Sequence, residues 1–176
     1  MMKKSIYSIS FFVCFALLMA SVSCHREPNA TKPKSTDFSS RISPIPQKDS
    51  LEHGFSYLSI YSQIYSFSES TQHELTVTVS LRNTDEHNSF YLKRADYFDS
   101  HGDGIKKYLR NSIEIQPLET LEIIINENDI SGGTGANFLF EWFCQKGATE
   151  PIFEAVMIST KGQQGLSFTT TAKRIK

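Results

Sequence analysis

From Glu74 to Asn83 the chain alternates without a break. Leu75, Val77, Val79 and Leu81 are apolar, while Thr76, Thr78, Ser80 and Arg82 between them are polar. A period of two sends every second side chain to the same face, so this segment is predicted to be a strand with one face in a core and the other in water. The same period recurs along the chain. Phe55–Phe67 sets Tyr57, Tyr61, Tyr65 and Phe67 against Leu58, Ile60 and Ile64, as one strand or two short ones. In Ser89–Asp99, Phe90, Leu92 and Phe98 are expected to oppose Tyr91, Ala95 and Tyr97. Short strands are predicted at Ile105–Leu109, Ile113–Ile115 and Leu121–Ile125, and further ones at Phe138–Phe143, Ile152–Ser159 and Leu166–Thr171. Glycine, proline or polar turns separate them, and no helical periodicity lasts beyond one turn. The pattern predicts an all-β fold, an immunoglobulin-like antiparallel β-sandwich of seven to nine strands. A small β-barrel is the alternative.

Ahead of this alternating region the pattern differs. Lys3 and Lys4 precede an apolar run from Ile6 to Ala20, interrupted by Ser8 and Ser10, and small residues then lead to Cys24. The run is short for a membrane span, which needs roughly 20 residues, so Met1–Ser23 reads as an export signal. Two cleavage readings stand. Leu18–Cys24 resembles a bacterial lipobox, with small Ser23 before a cysteine whose sulfur would take a diacylglycerol group; Ser21 stands where such boxes carry leucine. Ser21 and Ser23 also satisfy the small-x-small rule for ordinary secretion. Lipidation is the leading reading, because the cysteine falls directly after the site. Acylated Cys24 would then hold the chain on a lipid bilayer, with more than one chain needed for a stable anchor.

Domains follow from these boundaries: 1–23 signal, 24–53 lipidated N-terminus and flexible linker, and 54–176 one sandwich domain. Pro28, Pro33, Pro44 and Pro46 fall in the linker, among Ser, Thr and Lys and too few apolar residues to bury anything. Removing 23 residues from 176 leaves 153, enough for one domain with a real core. The formal net charge is −1, and losing Lys3 and Lys4 takes it to −3. A mildly acidic exported chain argues against a nucleic-acid partner.

Cysteine is sparse: Cys14 leaves with the signal, Cys24 is acylated in the leading reading, and Cys144 is left alone. No Cys/His spacing suggests zinc, and neither a metal nor a cofactor is expected. Without lipidation, a Cys24–Cys144 disulfide would be open in an oxidising compartment.

Chemistry could gather at Ser131–Cys144, SGGTGANFLFEWFC. Gly132, Gly133 and Gly135 permit close backbone approach and could aim amides at an anion, with Asn137 at the entry to the next strand. No Lys-Ser/Thr follows, which rules out a P-loop. Trp142 and Cys144 share parity with Phe138 and Phe140, so they are expected in the core. Lys161–Gly165, containing Gln163, Gln164 and Gly165, reads as a hairpin turn rich in amide side chains. Where this hairpin meets the Ser131–Asn137 turn is the candidate ligand-binding surface. Asp99–Gly104 fails the calcium-loop pattern, having His101 and Arg110 at ligand positions. The five histidines fall in polar stretches without metal spacing. Arg82, Lys93, Arg94, Lys106, Lys107 and Arg110 bias the middle of the domain positive, as the wet face of a sheet or as a patch for an acidic partner or anionic lipid.

The segments LTVTVSLRNTD, YFDSHG, SGGTGANFLFEW and EPIFEAVMISTKGQQGLSF resemble the uncharacterised bacterial lipoprotein family named domain of unknown function 3124, across Tyr57–Phe168. The resemblance implies export, often as a lipoprotein, and carries no catalytic residue over. The expected function is therefore a membrane-anchored, non-catalytic binding module in a bacterial envelope, facing the periplasm or the exterior. Its partner would be an envelope protein or a small polar ligand. One alternative is a structural or assembly protein using a tyrosine edge at Tyr57, Tyr61 and Tyr65. Another is a hydrolase using Cys144 or a Ser/His/Asp site.

Overall fold

The structure, a computed structural model, describes residues 37–47, 50–160 and 165–176. Segments of alternating sequence become strands because pairing satisfies their amides while one face is buried. In chain order the strands are β1 (Leu51–Ser59), β2 (Gln63–Ser66), β3 (Ser68–Glu74), β4 (Thr76–Arg82), β5 (Phe90–Phe98), β6 (Gly104–Lys107), β7 (Ile113–Ile115), β8 (Thr120–Ile125), β9 (Asn137–Gln145), β10 (Ile152–Ser159), β11 (Leu166–Thr171) and β12 (Lys173–Arg174).

One sheet runs β12-β1-β9-β5-β6, with β7 also pairing β5, and the second runs β11-β10-β4-β8. All pairings are antiparallel. A separate hairpin, β2–β3, leaves the end of β1. Phe153, Ala155 and Met157 of β10 and the apolar row of β4 meet Phe138, Phe140 and Trp142 of β9 in one core. The Phe140 and Phe153 rings stack at 4.2 Å across it. The fold is the expected all-β sandwich, open at its edges rather than closed into a barrel. Ala172 carries the chain from the second sheet to the first, its amide donating to Phe153 O at 2.8 Å.

Three features depart from the alternation. The register of β5 against β9 slips between Leu92 and Arg94. That bulge resets parity: Phe90 and Leu92 point inward before it, and Ala95 and Tyr97 point inward after it. Phe98, expected beside Phe90, is therefore turned out, and Tyr97 is turned in. The second departure is β3, SESTQHE, which has no apolar residue and is a strand through its pairing with β2. The three tyrosines do not form one edge either. Tyr57 lies outward on β1, Tyr61 packs edge-on against Phe168 at 5.7 Å, and Tyr65 sits on the hairpin.

Residues 37–47, within the stretch read as a linker, lie along the sheet. Phe38–Arg41 makes a single 3-10 turn capped by Asp37, whose Oδ1 accepts from the Ser39 amide at 2.9 Å. Ile42 bridges Ile113, Ser43 N donates to Ser112 O at 3.0 Å, and Arg41 pairs with Glu119 at 2.6 Å. β1 then begins at Leu51, ahead of the expected boundary at 54.

Candidate functional site

The glycine turn is tied down from three sides. Ser62 N and Gln63 N both donate to Gly133 O, at 3.2 and 3.1 Å, and Ser62 Oγ donates to the same oxygen. Ser100 Oγ donates to Gly132 O at 3.1 Å and accepts from Gly135 N at 2.9 Å. Gly133 N donates to Ile130 O at 3.0 Å. The amides of Gly133 and Gly135 are thus engaged within the fold. Two of the glycines have a local reason. Gly133 has φ +69°, which side chains resist. At Gly132, a Cβ would stand 2.7 Å from Ala136 Cβ and 2.9 Å from Tyr97 Cζ, with Tyr97 Oη nearer still. What remains open to a ligand is the outer rim, at Ser131 and Gly135, both exposed. Asn137 opens β9 and pairs with Ser59 on one side and Phe98 on the other.

Gln163 and Gln164 lie outside the described residues. The strands that flank them are described. Val77 is level with Ile125 of β8 on one side and with Met157 of β10 on the other. The C-terminal end of β10, the start of β11 and the glycine turn therefore share one end of the sandwich. β11 and β8 are the two edges of the second sheet, with β10 and β4 between them, and the glycine turn leads from β8 across into β9, an inner strand of the first sheet. Gly165, exposed, leads into β11.

Cys144 is free and 1% exposed. Burial, with Glu52 and Glu150 adding to it, pushes its thiol up to about 11. A sealed, protonated thiol is a poor nucleophile, which removes the strongest residue of a hydrolase reading. Asp99-Ser100-His101 brings together the three residue types of a triad, but their geometry is that of a turn. His101 Nδ1 is 3.6 Å from Asp99 Oδ2, and Ser100 Oγ is committed to the glycine turn. Asp99 Oδ1 accepts from the His101 and Asp103 amides at 2.8 and 2.9 Å. Those amides hold its carboxyl below the ordinary range, the Asp103 bond most strongly. No group of three His, Cys, Asp or Glu among the described residues could hold a metal ion.

A polar hub at the other end of the sandwich was not foreseen. Asp85 Oδ1 accepts from the His87 and Asn88 amides, both at 2.8 Å, and Oδ2 accepts from Thr149 N at 2.9 Å. These donors hold the Asp85 carboxyl far below the usual carboxylate range, Thr149 foremost. Asn83 sits beside it, donating to Asn88 O at 2.8 Å and Ile115 O at 3.1 Å while its Oδ1 accepts from Asp85 N. One Asn-Thr-Asp triplet thus joins three loops. The sequence signal was two short polar side chains directly after the clearest strand, where buried loop amides need acceptors.

Charge is also sorted by the fold. On the outer face of the first sheet, Glu141 takes both Lys93 Nζ at 2.9 Å and His53 Nε2 at 3.1 Å, and the His53 ring stacks on Phe143 at 4.2 Å. Arg94 pairs with Asp96, and Arg82 with Glu154, each at 2.5 Å. Of the six basic residues singled out in the sequence, Lys106, Lys107 and Arg110 make no ion pair among the described residues.

Two facing antiparallel sheets, loops bound into them by serine, asparagine and aspartate, and a sealed cysteine define an all-β sandwich domain. The chain belongs to the family described as Protein of unknown function (DUF3124), whose model matches residues 53–175 and so takes in both sheets. No curated protein matches it. A solved structure titled Crystal Structure of Thermotoga maritima 1070 is similar at 10% identity and a TM-score of 0.44, over 68% of this chain and 92% of that one.

Proposed function

We propose that this protein is an exported lipoprotein, held on a bacterial membrane through acylated Cys24, whose sandwich is a non-catalytic binding module. The observation that carries the reading is the order Lys3-Lys4, apolar 6–20, Cys24, proline-bearing stretch, folded domain. That order suits a cleaved signal, an acyl anchor and a spacer. Binding is favoured over catalysis by the sealed Cys144 and by the turn geometry of Asp99-Ser100-His101. A small polar ligand or an envelope protein would meet the module at the glycine-turn end, with Gly132, Gly133, Gly135, Asn137, Gln163, Gln164 and Gly165 as the candidate residues. An assembly role is the second reading, and what favours it is the β2–β3 hairpin with Phe67 fully exposed.

The anchor is tested by expressing the full chain in a bacterial host fed an alkyne fatty acid, as wild type and as Cys24→Ala. Wild type is expected to take up label and partition into detergent, and the variant to lose both. An unlabelled wild type in the aqueous phase would mean a soluble secreted protein.

A further inference from the structure

Lys106, Lys107 and Arg110, which make no ion pair among the described residues, are exposed and stand at one corner of the first sheet. Lys107 and Arg110 line a shallow cleft of about 280 Å³, whose other wall includes Asp37 and Phe38, where the described part of the lead-in begins. Lys106 Nζ sits 4.3 Å above the Tyr108 ring. Asp37 is the carboxylate lining the cleft, against the two cations Lys107 and Arg110, so its charged side chains leave a positive excess. Ile42 and Ile105, 55% and 36% exposed, adjoin it on neighbouring segments.

Thirteen residues take the chain from Cys24 to Asp37. Their full reach is at most about 45 Å. The lead-in is fastened to β7 through Ile42 and to the segments flanking it through Ser43 and Arg41, so an anchor at Cys24 would hold this corner, more than any other part of the domain, near the membrane. Cations held within a Debye length of an anionic surface gain roughly fivefold in binding each.

We infer that the Lys106, Lys107 and Arg110 corner is a docking surface for anionic phospholipid headgroups of the bilayer that carries the anchor. The inference rests on the proposed anchoring. It goes further by giving the domain a fixed orientation, with the β6–β7 edge against the lipid and the β12 edge away from it. Exposed Ile42 and Ile105 would meet the interface beside the cations.

The test uses the full mature chain, residues 24–176, carrying Cys24→Ser so that no acyl chain contributes. Its sedimentation with phosphatidylcholine vesicles is compared with that on vesicles in which a third of the lipid is phosphatidylglycerol. Binding is expected on the anionic vesicles alone and to weaken with added salt. Lys106→Gln, Lys107→Gln and Arg110→Gln together are expected to reduce it about a hundredfold. The control, Lys173→Gln with Lys176→Gln, alters the opposite edge of the same sheet and is expected to change binding less than twofold. Equal losses from both variants, or binding indifferent to phosphatidylglycerol, would overturn the inference. The anchoring reading is decided separately by acylation of Cys24, so either can fail alone.

Discussion

Gly54→Ala is expected to destabilise the domain by about 3 kcal/mol, a fall in Tm on the order of 10 °C. Gly54 lies directly opposite Trp142 on the neighbouring strand. The indole covers the glycine, and a Cβ there would stand 2.5 Å from Trp142 Cε2 and 2.7 Å from Cη2, with Cζ2 nearer still. The ring cannot easily give way. It is fully buried, its Nε1 donates to Ser56 Oγ at 3.0 Å, and the Arg174 guanidinium lies 5.2 Å from it. An added methyl must therefore move either the indole off its hydrogen bond or β1 off β9. The check is a thermal melt of Gly54→Ala, alone and with Trp142→Leu. The smaller side chain should return part of what the methyl costs, so that the two changes are not additive. A Gly54→Ala melt within a degree or two of wild type would contradict this packing.

Gly132→Ala should cost about 2 kcal/mol and should be partly rescued by Tyr97→Phe. Tyr97 is 1% exposed and stacked on Phe138 at 5.2 Å, so the ring is fixed. Its hydroxyl makes no hydrogen bond of good geometry among the described residues, although Ser62, Ser131 and the Gly132 backbone are close enough to interact with it. Burial pushes the phenol up. Removing an unsatisfied buried hydroxyl is neutral or stabilising by about 1 kcal/mol, so Tyr97→Phe alone should not lower Tm. It also takes away the atom nearest the new methyl, leaving the contact with Ala136. A double-mutant cycle measures this: the alanine should cost clearly less in the phenylalanine background. Strict additivity would mean that Gly132 is required for some reason other than Tyr97.

Much of the sandwich was legible because burial on one face leaves a period of two. Leu75 to Leu81 and Leu121 to Ile125 are core strands as read, and Phe138, Phe140, Trp142 and Cys144 form the row their parity implied. The pattern fails where the backbone itself breaks the period. A bulge between Leu92 and Arg94 adds one residue to β5, and nothing in the side chains announces it. Strand β3 was hidden for a different reason. Its partner is a hairpin strand rather than the core, so its side chains have no apolar face to fill. Residues 37–47 looked like tether because Phe38 alone among them packs against the core, and the rest of their hold on Ser112, Ile113 and Glu119 is hydrogen bonds, one bridge and an ion pair, which leave no hydrophobic stripe.

The candidate site was legible in outline only. Glycines at 132, 133 and 135 declared a tight turn. That Ser62, Ser100 and Tyr97 hold it depends on contacts reaching 71 residues along the chain, between Ser62 and Gly133. Asn83 and Asp85 read as an ordinary polar loop because their partners, Ile115 and Thr149, are likewise distant in sequence. Basic residues were visible as a group. Their division into paired and unpaired members follows from cross-strand neighbours such as Glu141 opposite Phe55 and Glu154 opposite Ser80, which composition does not give.

The central claim is that the domain is carried on a membrane by an acylated cysteine. It is tested most directly by the mass of the N-terminal peptide of the protein isolated from bacterial envelopes. The account predicts a peptide that begins at Cys24 and is heavier than its sequence by a diacylglycerol group, with or without a further acyl chain. A peptide of unmodified mass, whether it begins at Cys24 or retains residues 1–23, would contradict it.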